Sequence, residues 1–345
     1  MLSVGLLGGT GYTGKKLVLF CLQHPKIADF EVYANSSAGK ILWDIFPELN
    51  GVVPNKTVRS LSDISMEHSV YFLTLPHGHA LQYAPALIAN NKKVIDLGGD
   101  YRLDSEELYS KWYKIEHTSA NLLKTKKYGL ADYASDESYD GVSLVANPGC
   151  YPTATLLGLL PLVENYSDNI LSVSTVAYSG TSGAGKSAKT ELLNSEMDGN
   201  VRAYNVNEHR HEPEILQMLN QYRFDSPYTF TTHLLPISVG IHATSAIHLK
   251  DKIDAGKLNE VYSSAFSESP FVRLRNTPPE LKWVVNTNYC DININVKENK
   301  IVITSVIDNL IKGAAGQAIQ NMNHLFGWDE TLGIINKEVS HASTH

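Results

Sequence analysis

Short apolar runs alternate with helical-period segments over the first 150 residues. Residues 2–7 form an apolar run that ends in glycines, and apolar residues recur at helical spacing over 15–22. This order predicts a strand, a tight turn and a helix. Alternating strands and helices are typical of a parallel sheet with right-handed crossovers, that is, a doubly wound α/β domain. Further strands are predicted at 30–34, 70–75, 93–96 and 144–147, with a helix at 80–90.

The pattern changes after about residue 150 to longer β-rich runs separated by loops. These runs predict a second, α+β domain with a mostly antiparallel sheet. A last strong helical pattern at 314–326 predicts that the chain returns to the first domain. We therefore expect one domain at 1–148 plus 313–345, another at 149–312, and a soft tail at 340–345. The predicted strands of the second domain are 171–178, 229–235, 240–249, 292–296 and 301–310.

The composition narrows the class of protein. Of the 345 residues, 43% are hydrophobic and 19% are charged, which permits a large core and argues against disorder. The net charge is −7 without any basic run, so nucleic acid and anionic membranes are not expected partners. The apolar runs are shorter than the roughly 20 residues of a membrane span, and no basic segment precedes the first one. We expect a cytoplasmic protein that binds small molecules.

A glycine-rich segment joins the first strand to the first helix. Residues 8–14 read Gly-Gly-Thr-Gly-Tyr-Thr-Gly and match both G-x-G-x-x-G and G-x-x-G-x-x-G. Glycines let a pyrophosphate approach the backbone closely, and a helix N-terminus offers it free N–H groups. The pattern predicts a Rossmann dinucleotide site; the alternative is a tight turn without a ligand. The predicted cofactor contacts are Gly8, Thr10, Gly11, Tyr12, Thr13 and Gly14.

The end of the second strand distinguishes the two nicotinamide cofactors. An NAD-binding fold usually carries a carboxylate there for the ribose 2′-hydroxyl. Residues 35–40 read Asn-Ser-Ser-Ala-Gly-Lys instead. Ser36 and Ser37, with Lys40 nearby, suit a 2′-phosphate and bring no repelling charge. The sequence therefore predicts NADP rather than NAD, and the alternative is a simple Ser/Gly turn.

A second phosphate-binding pattern occurs at mid-chain. Residues 180–187 match G-x-x-x-x-G-K-[ST], which ends in Lys186 and Ser187. A P-loop enzyme also needs an apolar strand that ends in an aspartate for magnesium. We find no such ending among the later strands, since the run at 229–235 leads into Pro236. An ATPase or GTPase is therefore a distant alternative.

One of the three cysteines has the surroundings of a nucleophile. Cys150 lies in Asn-Pro-Gly-Cys-Tyr-Pro-Thr, between a predicted strand and an apolar helical run at 154–160. A helix N-terminus lowers the pKa of a thiol, and its N–H groups can stabilise an oxyanion. A buried, unreactive Cys150 is the alternative. Cys21 and Cys290 lie in apolar runs and are interpreted as packing residues, so neither a disulfide nor a zinc site is predicted.

The most polar cluster of the chain is Glu-His-Arg-His-Glu-Pro-Glu at 208–214. His209 or His211 could exchange a proton with the thiol, because histidine titrates near neutral pH. Arg210 could bind a carboxylate or a phosphate. A metal site at His-x-His and a solvated helix start are alternatives. Without further ligands at suitable spacing, no metal is predicted.

These segments together resemble the N-acetyl-gamma-glutamyl-phosphate reductase family (type 1) of arginine biosynthesis. The resemblance implies that NADPH reduces N-acetyl-L-glutamyl 5-phosphate to the 5-semialdehyde and phosphate through a cysteine thioester. It also implies a homodimer or homotetramer, with catalysis and oligomerisation in the second domain. The resemblance rests on residues 8–14, 75–78, 96–103, 147–153, 180–185, 209–214 and 308–317.

The resemblance further implies roles for single residues. Cys150 would be the nucleophile, with His209 the preferred acid/base and His211 in contact with substrate. The family usually has arginine where this chain has Lys186, which keeps the charge but loses the bidentate fork. The implied cofactor contacts are Pro76, Gly180, Gly183, Asn309, Lys312 and Gly313. The implied substrate contacts are Arg102, Asn147, Ser182, Lys186, Arg210 and His211.

Several functions stay open at this point. The substrate could be a related acyl phosphate, namely N-succinylglutamyl, carrier-linked glutamyl or aspartyl phosphate. From other classes, a P-loop NTPase and an NADP-sensing regulator remain. The sequence does not distinguish a dimer from a tetramer.

Overall fold

The computed structural model describes residues 1–134, 136–186 and 189–334, so Ser187 and the tail predicted at 340–345 lie outside the described residues. The chain forms two compact units. Unit 1 comprises Met1–Asn147 and the chain from Ala314 onward, and unit 2 comprises Pro148–Gly313. The sequence places these boundaries after residues 148 and 312.

Unit 1 is built on a six-stranded sheet in the order β2-β1-β3-β4-β6-β5, and every pairing in it is parallel. The four residues of β3, Val-Tyr-Phe-Leu, are all buried, as expected for a strand covered on both faces. The predicted doubly wound domain is confirmed. The strands are β1 (Leu2–Leu7), β2 (Ile27–Tyr33), β3 (Val70–Leu73), β4 (Lys93–Asp96), β5 (Lys127–Tyr128) and β6 (Leu144–Ala146).

The helices of unit 1 follow the spacing of their apolar residues. The first helix buries Leu17, Val18 and Cys21 on one face, and burial raises the pKa of the Cys21 thiol, which agrees with a packing role. The helix at 106–113 was not predicted because it is largely polar; Ser105 caps it by accepting the Leu108 N–H at 3.1 Å. The helices are α1 (Tyr12–Gln23), α2 (Leu42–Ile45), α3 (Ala80–Ala89), α4 (Glu106–Tyr113) and, at the end of the described chain, α9 (Gly316–Leu325).

Unit 2 is built on a seven-stranded sheet in the order β11-β12-β13-β10-β7-β9-β8. Four of its six pairings are antiparallel, and β7/β9 and β11/β12 are parallel, so the predicted mostly antiparallel sheet is confirmed. The strands are β7 (Ile170–Ser179), β8 (Arg202–Tyr204), β9 (Tyr228–Leu234), β10 (Ile241–Leu249), β11 (Val272–Leu274), β12 (Cys290–Lys297) and β13 (Lys300–Ile307).

One face of this sheet is covered by the longest helix of the described chain. That helix is buried from Tyr151 to Val163, and a Cβ at Gly158 would lie 3.2 Å from a methyl group of Ile303 on β13. On the opposite face, the register partners Ser174, Ala246 and Val302 are at least partly exposed. The helices of unit 2 are α5 (Cys150–Tyr166), α6 (Asn194–Met197), α7 (His211–Asn220) and α8 (Ala255–Ala265).

Candidate active site

The glycine turn of unit 1 has the local geometry of a pyrophosphate cradle. Gly8 has a φ of +81°, and a Cβ there would lie 2.5 Å from the Thr74 carbonyl oxygen. A Cβ at Gly14 would overlap the backbone of Gly9, so helix and turn pack without space for a side chain. At Gly11, by contrast, no atom of the described residues lies within 4 Å of a Cβ position. The turn therefore fits a ligand that approaches the start of α1.

The other predicted contacts of this turn lie around the same helix start. Gly11 is the N-cap of α1, and no side chain among the described residues caps it. Tyr12 is exposed, while Thr10 and Thr13 are half-buried. The uncapped start of α1 thus lies beside open space at Gly11, and an uncapped helix start of this kind binds phosphate in dinucleotide folds.

The segment after β2 is a short 3-10 turn at Asn35–Ser37. Asn35 Oδ1 accepts the Leu61 N–H at 2.9 Å and the Ser60 hydroxyl at 3.2 Å, which fixes the turn. Ser36 and Lys40 are exposed and Ser37 is half-buried, so their side chains are accessible. Pro76, which follows β3, is also exposed.

Arg102 and Asn147 tie together the ends of two neighbouring strands. Arg102 donates from Nε to the Asn147 carbonyl at 2.9 Å and from a terminal nitrogen to the Leu97 carbonyl at 2.7 Å. The amide of Asn147 contacts Asn321 at 2.9 Å, and its Nδ2 donates to the Ala314 carbonyl at 3.4 Å. Both side chains are buried and bound to unit 1 itself.

Cys150 is the first residue of α5 and is only partly buried, whereas Cys21 and Cys290 are fully enclosed. The helix begins four residues earlier than the predicted apolar run, because Pro152 is tolerated in the first turn of a helix, where its missing N–H would have no intrahelical partner. Gly149 is the N-cap, and no side chain of the described chain caps the helix there. The thiol therefore lies at a helix N-terminus, where a thiolate is favoured.

Two glycines leave space around this cysteine. A Cβ at Gly149 would lie 2.5 Å from His211 Nε2, so the imidazole occupies the place of a missing side chain beside Cys150. A Cβ at Gly313 would lie 2.7 Å from the Cys150 Cβ. Gly313 belongs to a π-helical turn, Ile311–Ala315, of the kind often found at functional sites. The turn brings Gly313 against the nucleophile.

His209 lies in a box of aromatic rings. The rings of Tyr151, Tyr204 and Phe230 have centroids 5.3, 5.5 and 5.7 Å from its imidazole, and that of His211 lies at 4.8 Å. Its Nδ1 accepts the His211 N–H at 3.1 Å. Burial, with a smaller effect of neighbouring Arg210, lowers the pKa of His209 to about 4. His209 is thus neutral at pH 7, with its proton on Nε2.

The loop that matches the P-loop pattern is held by main-chain hydrogen bonds. The N–H groups of Gly180, Thr181 and Ser182 donate to carbonyls of the segment 237–240 at 2.9–3.0 Å. Asn309 accepts the Gly240 N–H at 2.6 Å and donates to Ser182 Oγ at 3.1 Å, and a Cβ at Gly183 would lie 3.7 Å from its Nδ2. The predicted residues Gly180, Ser182, Gly183 and Asn309 therefore form one cluster.

One premise used against a P-loop was wrong. β13 ends at Ile307, directly before Asp308, so a later strand does end at an aspartate. The Asp308 carboxylate accepts the N–H groups of Asn286, Leu310 and Ile311 at 2.8–3.0 Å, however, and so stabilises the start of the π-turn. The described loop is a 3-10 turn at Thr181–Ala184, after which Lys186 is exposed. Its geometry differs from a loop that enters a helix at the lysine.

Lys312 and Arg210 lie in opposite environments. Lys312 is completely buried, with its Nζ 5.3 Å from the centroid of the Phe271 ring. Arg210 is exposed at the start of α7. Of the two predicted ligand contacts, Arg210 is therefore accessible at the surface, and Lys312 is enclosed within unit 2.

Two groups near Cys150 were not predicted. Glu214 is fully buried, and its Oε1 accepts the Gly149 N–H at 2.8 Å. The Tyr204 hydroxyl donates to that of Tyr151 at 2.9 Å, and burial together with the Cys150 charge raises the pKa of Tyr204 to about 12. The spacing of His211 and Glu214 by three residues at a helix start was the available signal for the first. The tyrosine pair joins distant segments and left no signal in the sequence.

Comparison with known proteins decides the family. Residues 3–143 match a family model described as semialdehyde dehydrogenase, NAD binding domain, and residues 150–309 match semialdehyde dehydrogenase, dimerisation domain. The N-acetyl-gamma-glutamyl-phosphate reductase of Geobacillus stearothermophilus is 40% identical over 97% of this chain and 98% of its own length. This chain belongs to the N-acetyl-gamma-glutamyl-phosphate reductase family. The predicted resemblance and the predicted enzyme class are confirmed.

Solved structures of aspartate semialdehyde dehydrogenases share the fold of this chain. Aspartate semialdehyde dehydrogenase II of Vibrio cholerae, complexed with ASA, superposes with a TM-score of 0.71 at 16% identity over 95% of this chain and 98% of that chain. The aspartate semialdehyde dehydrogenase of Candida albicans, solved with NADP, gives 0.60 at 16% identity, with coverages of 94% and 98%. At these identities the likeness concerns the fold. Within the described residues of this reductase-family chain, no helix is both long and apolar enough to cross a membrane, and no cluster of His, Cys, Asp and Glu is arranged for a metal ion.

Proposed function

We propose that the protein uses NADPH to reduce N-acetyl-L-glutamyl 5-phosphate to N-acetyl-L-glutamate 5-semialdehyde and phosphate in arginine biosynthesis. The observation that carries this proposal is the place of Cys150 at the start of α5, with His211 against the preceding glycine and Gly313 against its Cβ. The substrate is the one named for the Geobacillus relative. A cytoplasmic location stays a prediction from the sequence.

Cys150 opens the reaction as the nucleophile. Its thiolate attacks the acyl carbon, the carbon–oxygen bond to phosphate breaks, and phosphate leaves with the bonding electrons. A thioester then links the substrate to Cys150. The N–H groups of the first turn of α5 stabilise the negative charge that forms on the acyl oxygen.

The second half of the reaction releases the aldehyde. When bound, NADPH would supply a hydride to the carbonyl carbon of the thioester, and the protonated base would give a proton to the carbonyl oxygen, which completes a thiohemiacetal on Cys150. The hydroxyl of this group gives up its proton to a base, the carbon–sulfur bond breaks, and the sulfur leaves as a thiolate. Cys150 is thereby regenerated for the next turnover.

We propose His211, rather than His209, which the family resemblance favours, as the group that exchanges these protons. His211 Nε2 lies in the space beside Gly149, next to the cysteine. His209 is enclosed by aromatic rings, and its Nδ1 is engaged by the His211 N–H. His209 would thus hold the backbone of His211, and Arg210 and Lys186, both exposed, would attract the substrate carboxylate or phosphate.

NADP is proposed as the cofactor on two grounds. The segment 35–40 offers accessible Ser36, Ser37 and Lys40 and no carboxylate at the place where a ribose 2′-phosphate binds in such folds. The Candida structure of the same fold was solved with NADP. The glycine turn would hold the pyrophosphate, and the implied contacts at Pro76, Gly180, Gly183, Asn309 and Gly313 would be those to the nicotinamide half. Lys312, also implied as a contact, is completely buried and is not proposed to touch the cofactor.

We propose that two copies associate through the face of the unit 2 sheet opposite α5. That face carries small and branched side chains in register across three strands, among them Ser174, Ala246 and Val302, the last being 39% exposed. The family model for this segment is described as a dimerisation domain. Val302→Glu, measured by light scattering after size exclusion, should shift a dimer toward the monomer; an unchanged mass contradicts this surface.

The reverse reaction tests the proposed activity, because the forward substrate is an unstable acyl phosphate. N-acetylglutamate semialdehyde, phosphate and NADP should give NADPH, and treatment with iodoacetamide should abolish the signal. NAD in place of NADP should react more slowly. Activity with the succinyl or aspartyl analogue alone would keep the chemistry and contradict the substrate, whereas tight NADPH binding without turnover of any of them would favour an NADP-sensing regulator.

A further inference from the structure

A buried carboxylate contacts the backbone directly before the nucleophile. Glu214 is 0% exposed, and its Oε1 lies 2.8 Å from the Gly149 nitrogen, whose N–H it accepts. Burying a charged group costs free energy unless partners compensate it. The carboxylate lies in the first turn of α7, a ten-residue helix whose N-terminus favours negative charge. A helix end and the backbone N–H before the active cysteine therefore both favour the ionised form of Glu214.

The same carboxylate shares a helix face with His211. Residues three apart on a helix are neighbours, so Glu214 and His211 leave α7 on one side. That side meets Gly149 twice, once through the His211 ring and once through the Glu214 carboxylate. The position of Gly149 thus fixes the place of His211 relative to Cys150.

We propose that Glu214 is a positioning residue of the proposed reductase site: it holds Gly149 so that the Cys150 thiol meets the His211 imidazole, and its charge keeps that imidazole basic enough to take the thiol proton. The transfer moves a proton from sulfur to Nε2 and leaves a thiolate and an imidazolium. This inference rests on the proposed function of Cys150 and His211. The alternative is a purely structural role at the end of α7.

Other charged groups around His211 act differently. His209 is neutral at pH 7 and contributes a ring contact at 4.8 Å, and the Tyr151 ring lies at 5.8 Å. Arg210 is exposed, so solvent screens its charge. Glu212 is half-buried on α7, and its charge acts on Tyr228. The pKa of Tyr228 is raised mainly by burial and, to a smaller extent, by the Glu212 charge. Glu212 is therefore a matched control: the same side chain on the same helix.

Glu214→Gln tests the charge, because an amide oxygen still accepts the Gly149 N–H. Loss of a negative charge lowers the pKa of every acid nearby. In the protein without ligands, the pH midpoint for iodoacetamide alkylation of Cys150 should move down by about one pH unit. The rate constant kcat should fall about tenfold while KM changes little, because the base is weakened and binding is not. Glu212→Gln should change neither quantity.

The variants of Glu214 and Glu212 distinguish an electrostatic role of Glu214 from a positioning role. An unchanged alkylation profile in a folded Glu214→Gln protein overturns the electrostatic role, and an equal shift in Glu212→Gln overturns its specificity for this carboxylate. If Glu214→Gln does not fold, Glu214→Asp decides: it keeps the charge but withdraws from Gly149, so kcat should fall while the alkylation midpoint stays. Wild-type kcat in Glu214→Asp overturns the positioning role. Alkylation needs no substrate, so this test stands even if the proposed acyl phosphate is wrong.

Discussion

The candidate site of unit 1 is formed by main-chain groups, whereas that of unit 2 is formed by side chains. In unit 1 the glycine turn offers main-chain groups, and at Gly8 and Gly14 any side chain would collide with backbone. In unit 2 the site consists of side chains, and the glycines at 149 and 313 leave space for His211 and Cys150. Substitutions in unit 1 should thus change cofactor affinity or folding. Those in unit 2 should change the chemistry.

The two glycine-rich loops sharpen this contrast. Both match a phosphate-binding pattern in the sequence, but among the described residues only 8–14 lead directly into an α-helix, with open space at its N-cap Gly11. The loop at 180–185 is fixed through hydrogen bonds to the segment 237–240 and to Asn309. A glycine pattern therefore indicates a phosphate site only when the helix that supplies the N–H groups follows it.

The largest effect is expected at the nucleophile. Cys150→Ala should lower kcat by at least about a thousandfold, because the covalent route is lost. The dissociation constant for NADPH, measured by fluorescence titration, should stay within about twofold of the wild type. A loss of NADPH binding in this variant would contradict the assignment of cofactor binding to unit 1 and of the chemistry to unit 2.

Gly149→Ala should act through the imidazole. The backbone at Gly149 has φ −65° and suits alanine, but the new Cβ would displace His211. Misplacement of a catalytic group by about 1 Å costs on the order of a hundredfold in rate. In a His211→Ala background the same change should add little, and a full additive loss in this double-mutant cycle would place the damage elsewhere.

The stability of unit 2 should depend on pH through His209. The pKa is about 4 in the folded protein against 6.5 for the unfolded chain, so the unfolded chain binds more protons between these values. Stability is therefore complete above pH 6.5 and falls by up to about 3 kcal/mol as the pH drops to about 4. Urea unfolding of the wild type and of His209→Gln at several pH values checks this. A slope that persists in the variant assigns the effect to other groups.

Alanine substitutions at Gly14 and Gly11 distinguish a glycine needed for packing from a glycine needed for cofactor binding in unit 1. Gly14→Ala should destabilise the fold by about 2–3 kcal/mol, since the Cβ overlaps Gly9. Gly11→Ala should leave the melting temperature unchanged, because its Cβ enters open space, and raise the KM for NADPH about tenfold. Thermal melts and NADPH titrations distinguish the two. Equal loss of stability in both would remove the basis for a cradle at Gly11.

Local sequence patterns predicted most helices and strands and the main reactive side chains. They did not predict which side chains from distant segments lie next to each other. Apolar periodicity indicated the sheet of unit 1, and helix α5 began earlier than predicted because its first turn contains Pro152, which is tolerated there. Helix α4 was missed because its sequence is largely polar. The histidine preference depended on an environment that no sequence window contains, since the box around His209 draws on α5, β8 and β9. Glu214 was visible only as a charge at a helix start.

The chain crosses from one unit to the other at Asn147–Pro148 and at Gly313–Ala314. Cys150 follows the first crossing, and Gly313, which packs on Cys150, immediately precedes the second. Any exchange of the cofactor unit by recombination must therefore join the new piece at the residues that shape the nucleophile. The activity of a chimera made at these borders would depend on how well its two junctions preserve the geometry around Cys150. The two units are therefore separate in the fold, but recombination cannot exchange one of them without touching the active site.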